Sequence, residues 1–209
     1  MVYRMLTAHS QGYDLQLGTN CLGPWLFTHH LHPILKSTAA SSPQNSVRVA
    51  WAGSLAIDAY APNGGVTLNE NGEPSIESQN IQTIYGVSKA GNLFLASEFG
   101  KRTQGEGIVS VCFNPGNLRT ELQRHVPKWQ DMLLSLMVYR AVFGAYTELW
   151  CGLSPDLTTE QNGAYVAPWG RIMTVKKDRM QSLKTKEDGG SEKAKMFVDW
   201  CERECKKFM

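Results

Sequence analysis

The chain has 209 residues, 42% hydrophobic and 19% charged, enough for one domain with a sizeable core. That composition excludes a disordered, collagen-like or low-complexity chain. Its 21 Lys and Arg against 19 Asp and Glu leave a net charge of +2 with the signs interleaved, so charge gives no case for nucleic-acid binding.

Residues 11–40 read as a helix, with Tyr13, Leu15, Leu17, Leu22, Trp25, Leu26, Leu31 and Leu35 forming a broad apolar stripe. Gly18, Gly23 and Pro24 are poor helix residues in its middle, and that local conflict marks a bend, a close approach or a site. After the turn cluster 41–45, residues 47–53 read as a strand. Residues 59–80 are rich in Gly, Asn, Pro and Ser and read as a long surface loop, a kind more often functional than not. A helix is expected from Tyr85 to Lys101, with a wide apolar face. A second strand follows at 108–113 and ends at Asn114-Pro115-Gly116. A third helix is expected over 129–151, stopped by Gly152 and Pro155, and a short third strand over 164–167. The mixed charges of 176–190, including Lys176, Lys177, Asp178, Lys184 and Lys186, read as a solvated segment, and a last amphipathic helix covers 191–207.

Helices alternate with strands, which predicts an α/β fold with three parallel strands and right-handed crossovers, flanked by helices. Ligands of such sheets lie beyond the carboxyl ends of the strands. Here those ends are Gly53-Ser54, Asn114-Pro115-Gly116 and Pro168-Trp169-Gly170. Four polar residues fall at telling places: Asn20 inside the first helix, Ser54 after the first strand, and Tyr85 and Lys89 at i, i+4 on the second helix. By itself a Tyr-x-x-x-Lys pair is a weak signal; the strand before it and the Pro-Gly after the next strand strengthen it.

His29 and His32 can share a helix face, but no carboxylate or cysteine is spaced to complete a metal site, so no metal is expected. The five cysteines are odd in number with no Cys-x-x-Cys, which favours free thiols in a reducing compartment. With no secretory-type leader and no apolar run of the ~18–20 residues a membrane span needs, the reading is a cytoplasmic protein.

Four segments in order, Thr19-Asn20-Cys21-Leu22-Gly23, Ala52-Gly53-Ser54, Tyr85 to Asn92 and Asn114 to Thr120, resemble the motifs of the short-chain dehydrogenase/reductase superfamily. The finer resemblance is to its retinol-dehydrogenase-like branch, especially fungal members of secondary metabolism. The resemblance implies the C-terminal part of a doubly wound, Rossmann-like fold. It implies an oxidoreductase acting on a carbonyl or secondary alcohol with NADP or NAD. Tyr85 would be the acid–base, Lys89 would stabilise its phenolate and hold the ribose, Ser54 would bind the substrate oxygen, and Asn20 would orient a water. A free tyrosine titrates near pH ~10, so such a base needs the cation beside it. Pro115, Gly116, Leu118 and Thr120 would line the cofactor, and 118–128 would be the substrate loop.

One departure matters. No glycine-rich strand-to-helix turn of the GxxxGxG or GxGxxG kind is present, and Met1 lies about where the family's Asn-Ala-Gly motif would end. The expectation is an N-terminally shortened member lacking about 90 residues, three βα units. That leaves open whether the cofactor binds this chain alone. It also leaves three readings of the whole: a reductase, a non-catalytic binding or scaffold protein, and a cofactor-independent acid–base catalyst. Trp25, Trp129, Met132 and Trp169 suggest a small hydrophobic substrate. The strand at 47–53 is expected to expose an edge, and therefore to draw a second copy or a partner chain over it.

Overall fold

The computed structural model of the chain describes residues 12–119 and 138–209. The first helix begins at Asp14, whose carboxylate accepts from the N–H groups of Gln16 and Leu17 and so caps α1, Leu15–Leu17. A π-helical turn, Gly18–Leu22, follows, and α2 runs Gly23–Ser41. The predicted bend is therefore a π turn. Its physical origin is local: Pro24 has no N–H to give, and the Gly23 N–H reaches five residues back to the Gly18 carbonyl.

β1, Val47–Ala52, pairs in parallel with β2, Ile108–Phe113, in the register Val47 to Ile108 through Ala52 to Phe113. β2 is buried along its whole length, as a strand covered on both faces must be. Between them lie the short α3, Ala56–Ala59, and the long α4, Ile81–Arg102. α4 starts four residues before its predicted start, because the Asn80 side chain accepts from the Thr83 N–H and caps it there. Tyr85 consequently sits in the second turn rather than at the helix start.

Two short strands, β3, Leu118–Arg119, and β4, Tyr139–Arg140, pair in parallel as a separate sheet. α5 runs Val142–Leu153; the part of the predicted helix at 129–137 lies outside the described residues. β5, Tyr165–Ala167, pairs in parallel with β2. A fourth strand, β6, Arg171–Met173, is antiparallel to β5, so the sheet is mixed and ordered β1-β2-β5-β6. Sequence reading stopped at three parallel strands because the Trp169-Gly170 turn makes a tight hairpin whose return strand is only three exposed residues long.

The charged segment also departs from expectation. α6, Lys177–Leu183, is packed, with Arg179 3% exposed. Its guanidinium donates to the carbonyls of Ile57 and Ala61 and pairs with Asp178, which accepts from the Gly64 N–H. These bonds tie the long loop down. α7, Lys193–Cys205, closes the chain against α4.

α2, α4 and α7 cover one face of the sheet and α5 the other. The larger core gathers Leu93, Phe94, Phe99, Trp25, Trp51 and Phe197 on the α4 face. A smaller one, around Val109, Val111, Phe113, Leu157 and Val166, lies under α5. Gly91 lets these layers close up: a Cβ there would come within 2.7 Å of Cys21 Sγ and of the Phe197 ring.

Candidate active site

The π turn sets the first side chain. Asn20 Nδ2 donates to Ser88 Oγ at 3.0 Å, and Ser88 Oγ donates to the Tyr85 carbonyl at 2.9 Å. Cys21 Sγ donates to the Ser88 carbonyl at 3.1 Å. An extra residue in the helix turns Asn20 and Cys21 onto α4 together, so the glycines that spoil the helical pattern are what bring this face into contact. Among the described residues no hydrogen bond joins Asn20 directly to Lys89; it reaches the pair through Ser88.

On α4, Tyr85 and Lys89 share a face as their spacing predicts, with Lys89 Nζ 5.7 Å from the centre of the Tyr85 ring. The Lys89 ammonium donates to the Ala52 carbonyl at 2.9 Å, and Asn92 Nδ2 donates to the same oxygen at 3.1 Å. Burial pushes the Lys89 pKa below the usual lysine range, against the pull of the Cys21 and Cys112 sulfurs. Gly86 allows the loop to lie on the helix beside Tyr85, since a Cβ there would come within 2.5 Å of the Ala61 nitrogen.

Ser54 follows β1 and its Oγ accepts from the Ala56 N–H at 3.2 Å, a local turn bond. Its carbonyl accepts from the Tyr165 hydroxyl at 3.1 Å. At the end of β2, Asn114 Oδ1 accepts from the Gly116 N–H at 2.9 Å. Gly116 has φ +98°, and a Cβ would lie 3.1 Å from Pro168 Cγ. Leu118 packs its side chain on Gly144. Thr120, Trp129 and Met132 lie outside the described residues.

The aromatic residues divide. Trp25 is buried, edge-on to Phe99, and belongs to the core rather than to a substrate surface. Trp169 is 45% exposed and meets Tyr139 and Phe143. His32 Nε2 lies 2.6 Å from the Glu106 carboxylate, and among the described residues no three His, Cys, Asp or Glu side chains are grouped to hold a metal. All five cysteines are free and buried, and burial pushes Cys21 up to about 12 and Cys151 and Cys205 up to about 11.

Three contributors were missed. Asn92 stands three residues after Lys89, and its helical spacing was the available signal. Tyr165 and Arg179 act across 111 and 122 residues of sequence, and neither carries a local cue. A cavity of about 420 Å³ opens beside β1, between it and α2, and reaches Lys89 and Asn92. The Tyr85 phenol and the desolvated Lys89 amine thus share a face of α4 at the carboxyl end of β1, groups suited to moving a proton on or off a substrate oxygen, while the Ser54 hydroxyl, two residues past that strand, is held in its own turn.

No family model matches the chain. It is 41% identical over 208 residues to a short-chain dehydrogenase/reductase of Pestalotiopsis fici, covering 98% of this chain and 61% of that protein. Proteins of the same description from Phomopsis amygdali and Neocamarosporium betae are 40% and 35% identical, each over 96% of this chain and 60% and 58% of their own. The chain therefore spans about three fifths of the length of the curated relatives it matches. Among solved structures, an uncharacterised protein of Mycobacterium paratuberculosis superposes with TM-score 0.59 at 22% identity, over 93% of this chain and 59% of the other. An NADPH-bound carbonyl reductase from chicken fatty liver gives 0.53 at 16%, over 81% and 61%. At these identities the two structures speak for the fold alone. Among the described residues no helix is long and apolar enough to cross a membrane.

Proposed function

The chain belongs to the short-chain dehydrogenase/reductase family over the length it spans, and from that premise we propose that it carries the proton-transfer and nicotinamide-side portion of an NAD(P)-dependent reductase or dehydrogenase acting on a small hydrophobic carbonyl or secondary alcohol. The observation that carries the reading is one half-buried face of α4, where Lys89 Nζ lies 5.7 Å from the Tyr85 ring centre and Asn20 is tied to the same helix through Ser88.

The residues present fit the nicotinamide end of such a cofactor. The Lys89 amine is desolvated and stands at the end of an open cavity. The Asn114–Gly116 turn is held by its own Asx bond in a conformation that favours glycine. Lys89 would hold the ribose, and Pro115, Gly116, Leu118 and Thr120 would border the cofactor. When bound, the nicotinamide supplies or accepts a hydride. This chain's part is the proton. Tyr85 gives its phenolic proton to the carbonyl oxygen in the reducing direction and takes it back from the alcohol in the other. The ammonium of Lys89 stabilises the phenolate so formed, a pair worth about 4 kcal/mol at ~4 Å before desolvation. Ser54 steadies the substrate oxygen, and Asn20 holds a water on the proton path. For the phosphates the chain offers no glycine-rich strand-to-helix turn, so the reading assigns that end of the cofactor no residue. Five buried free thiols support a reducing, cytoplasmic setting, and the open side of β1 supports either self-association or a partner chain.

Titration of the purified chain with NADPH and NADH, followed by tryptophan quenching, tests the cofactor. Tyr85→Phe is expected to lower turnover about 10²–10⁴-fold while leaving fold and binding unchanged. A Tyr85→Phe protein as active as the parent would replace this reading with a scaffold role.

A further inference from the structure

Tyr165 reaches across the sheet. On β5 it stands level with Cys112 of β2, and Cys112 stands level with Trp51 of β1. All three side chains join the core on the α4 face. From there the Tyr165 ring crosses the end of β2 and its hydroxyl donates to the Ser54 carbonyl, past the end of β1, at 3.1 Å. Gly53 permits the approach. A Cβ there would come within 2.6 Å of Cys112 Sγ and 3.0 Å of the Phe113 carbonyl, and the Ser54 turn would have to lift off the strand ends.

The Tyr165 hydroxyl has a second neighbour. Asn114 N–H donates to the Val166 carbonyl at 2.8 Å, which sets Asn114 alongside Tyr165. Burial, with Cys112 and Asp58 nearby, pushes the Tyr165 pKa above the ordinary tyrosine range, against a hydrogen bond from the Asn114 side chain. Tyr165 therefore keeps its proton and gives it to Ser54, and its oxygen accepts from Asn114 Nδ2. The other end of the Asn114 amide agrees with that orientation, since Oδ1 accepts from the Gly116 N–H at 2.9 Å. The bonds then run head to tail, from Gly116 through Asn114 and Tyr165 to Ser54, an order in which each strengthens the next. Asn114 and Tyr165 are 6% and 5% exposed, so water does not compete for them. Ser54 Oγ accepts from the Ala56 N–H, so the direction of its hydroxyl follows the turn that Tyr165 pins.

We propose that Tyr165 and Asn114 are positioning residues: their bridge makes the Asn114–Gly116 turn and the Ser54 turn move as one, so that a group seated on Gly116 sets the direction of the Ser54 hydroxyl. The proposal rests on the dehydrogenase reading for what the two turns hold. The bridge itself does not.

Amide exchange and the Ser54 Cβ resonance of the isotope-labelled chain test it. Tyr165→Phe keeps the ring and removes only the hydroxyl. It is expected to speed exchange about tenfold at Ala56 and at Gly116, neither of which bonds Tyr165, and to shift Ser54 Cβ. Asn114→Ala is expected to shift Ser54 Cβ too, and to add nothing to that shift in the Tyr165→Phe background. A mere loosening of packing would add in the double variant. Unchanged exchange at Gly116 in Tyr165→Phe, or additive Ser54 shifts, overturns the proposal. Should a variant lose the parent's circular dichroism, the unsubstituted protein decides. Labelled at Cζ in half-deuterated water, Tyr165 should give separate resonances for its protonated and deuterated hydroxyl, as a buried, bonded hydroxyl exchanges slowly; one averaged resonance overturns the bridge. An NADPH titration separates the two readings. Binding whose shifts reach Ser54 in the parent and stop at Gly116 in Tyr165→Phe supports both. Binding that reaches Ser54 equally in Tyr165→Phe keeps the dehydrogenase and overturns the coupling. No binding removes the dehydrogenase, and the bridge stands or falls on the variants.

Discussion

The sheet has two edges, built in opposite ways. β6 is three residues long, antiparallel and wholly exposed, joined to β5 by a tight turn. It caps its side of the sheet with a strip too short to recruit another strand, a common way to blunt an edge. β1 is six residues long, parallel to its neighbour, and flanked by an apolar groove. Parallel strands belong to sheet interiors, covered on both faces and paired on both sides. β1 has the parallel pairing of an interior strand on one side and an open edge on the other, and only Trp51 of its six residues is buried. The candidate acid–base pair stands beside the second kind of edge, so completing the sheet and completing the site are one problem here.

The largest expected effect sharpens this contrast from the core side. Phe94 is fully buried and edge-on to Phe197, within the helix that covers β1 and β2. Phe94→Ala should destabilise by about 3–5 kcal/mol in urea unfolding, and a loss under about 1 would mean that α4 does not hold β1 in place. Arg48 comes next. It donates from β1 to the carbonyls of Asn45, Cys151 and Ser154, fastening α5 to the strand. Arg48→Met leaves those carbonyls without their donor and should lose about 1–3 kcal/mol, read from the same transition.

The acid limb of stability tests the loop clamp. Burial raises the Asp178 pKa, but the bonds from Arg179 and the Gly64 N–H outweigh it and hold it at about 2, below the ordinary 3.8. A carboxylate depressed on folding contributes stability above its unfolded pKa and loses it as pH falls through the folded one. The contribution of Asp178 should therefore be intact above about pH 4 and fade toward pH 2. Acid titrations of Asp178→Asn should lack that portion of the slope; a slope equal to the parent's would remove the clamp from the account. The smallest effects compare the edges directly. Ala50→Lys and Ile172→Lys should each change the stability of the single chain by less than about 0.5 kcal/mol. Light scattering should nevertheless show the Ala50 variant alone reducing aggregation, because among the described residues only β1 presents a long unpaired edge.

Short-range chemistry was legible in the chain. The i, i+4 placement of Tyr85 and Lys89, the β-branched run that buries β2, and the conflict of Gly18, Gly23 and Pro24 with a regular helix were all visible, and each survives as local geometry. What the conflict meant was not visible. That it is a π turn placing Asn20 on Ser88 depends on α4 lying alongside. The charged run around Asp178 and Arg179 looked like a solvated face, because composition cannot tell a guanidinium in water from one satisfied by two distant carbonyls.

By itself, then, the sequence determined the alternation of helices and strands, the polar residues of the candidate site, and the missing glycine-rich turn, because each is written in neighbours a few positions apart. Only the tertiary structure decided which partners those residues keep: Lys89 on the Ala52 carbonyl, Tyr165 on the Ser54 carbonyl, Arg179 on the loop, and β6 closing one edge while β1 stays open. The reason is physical. Periodicity and turn chemistry act over one or two turns of chain, whereas a buried donor takes whichever acceptor packing brings within about 3 Å, however distant in sequence.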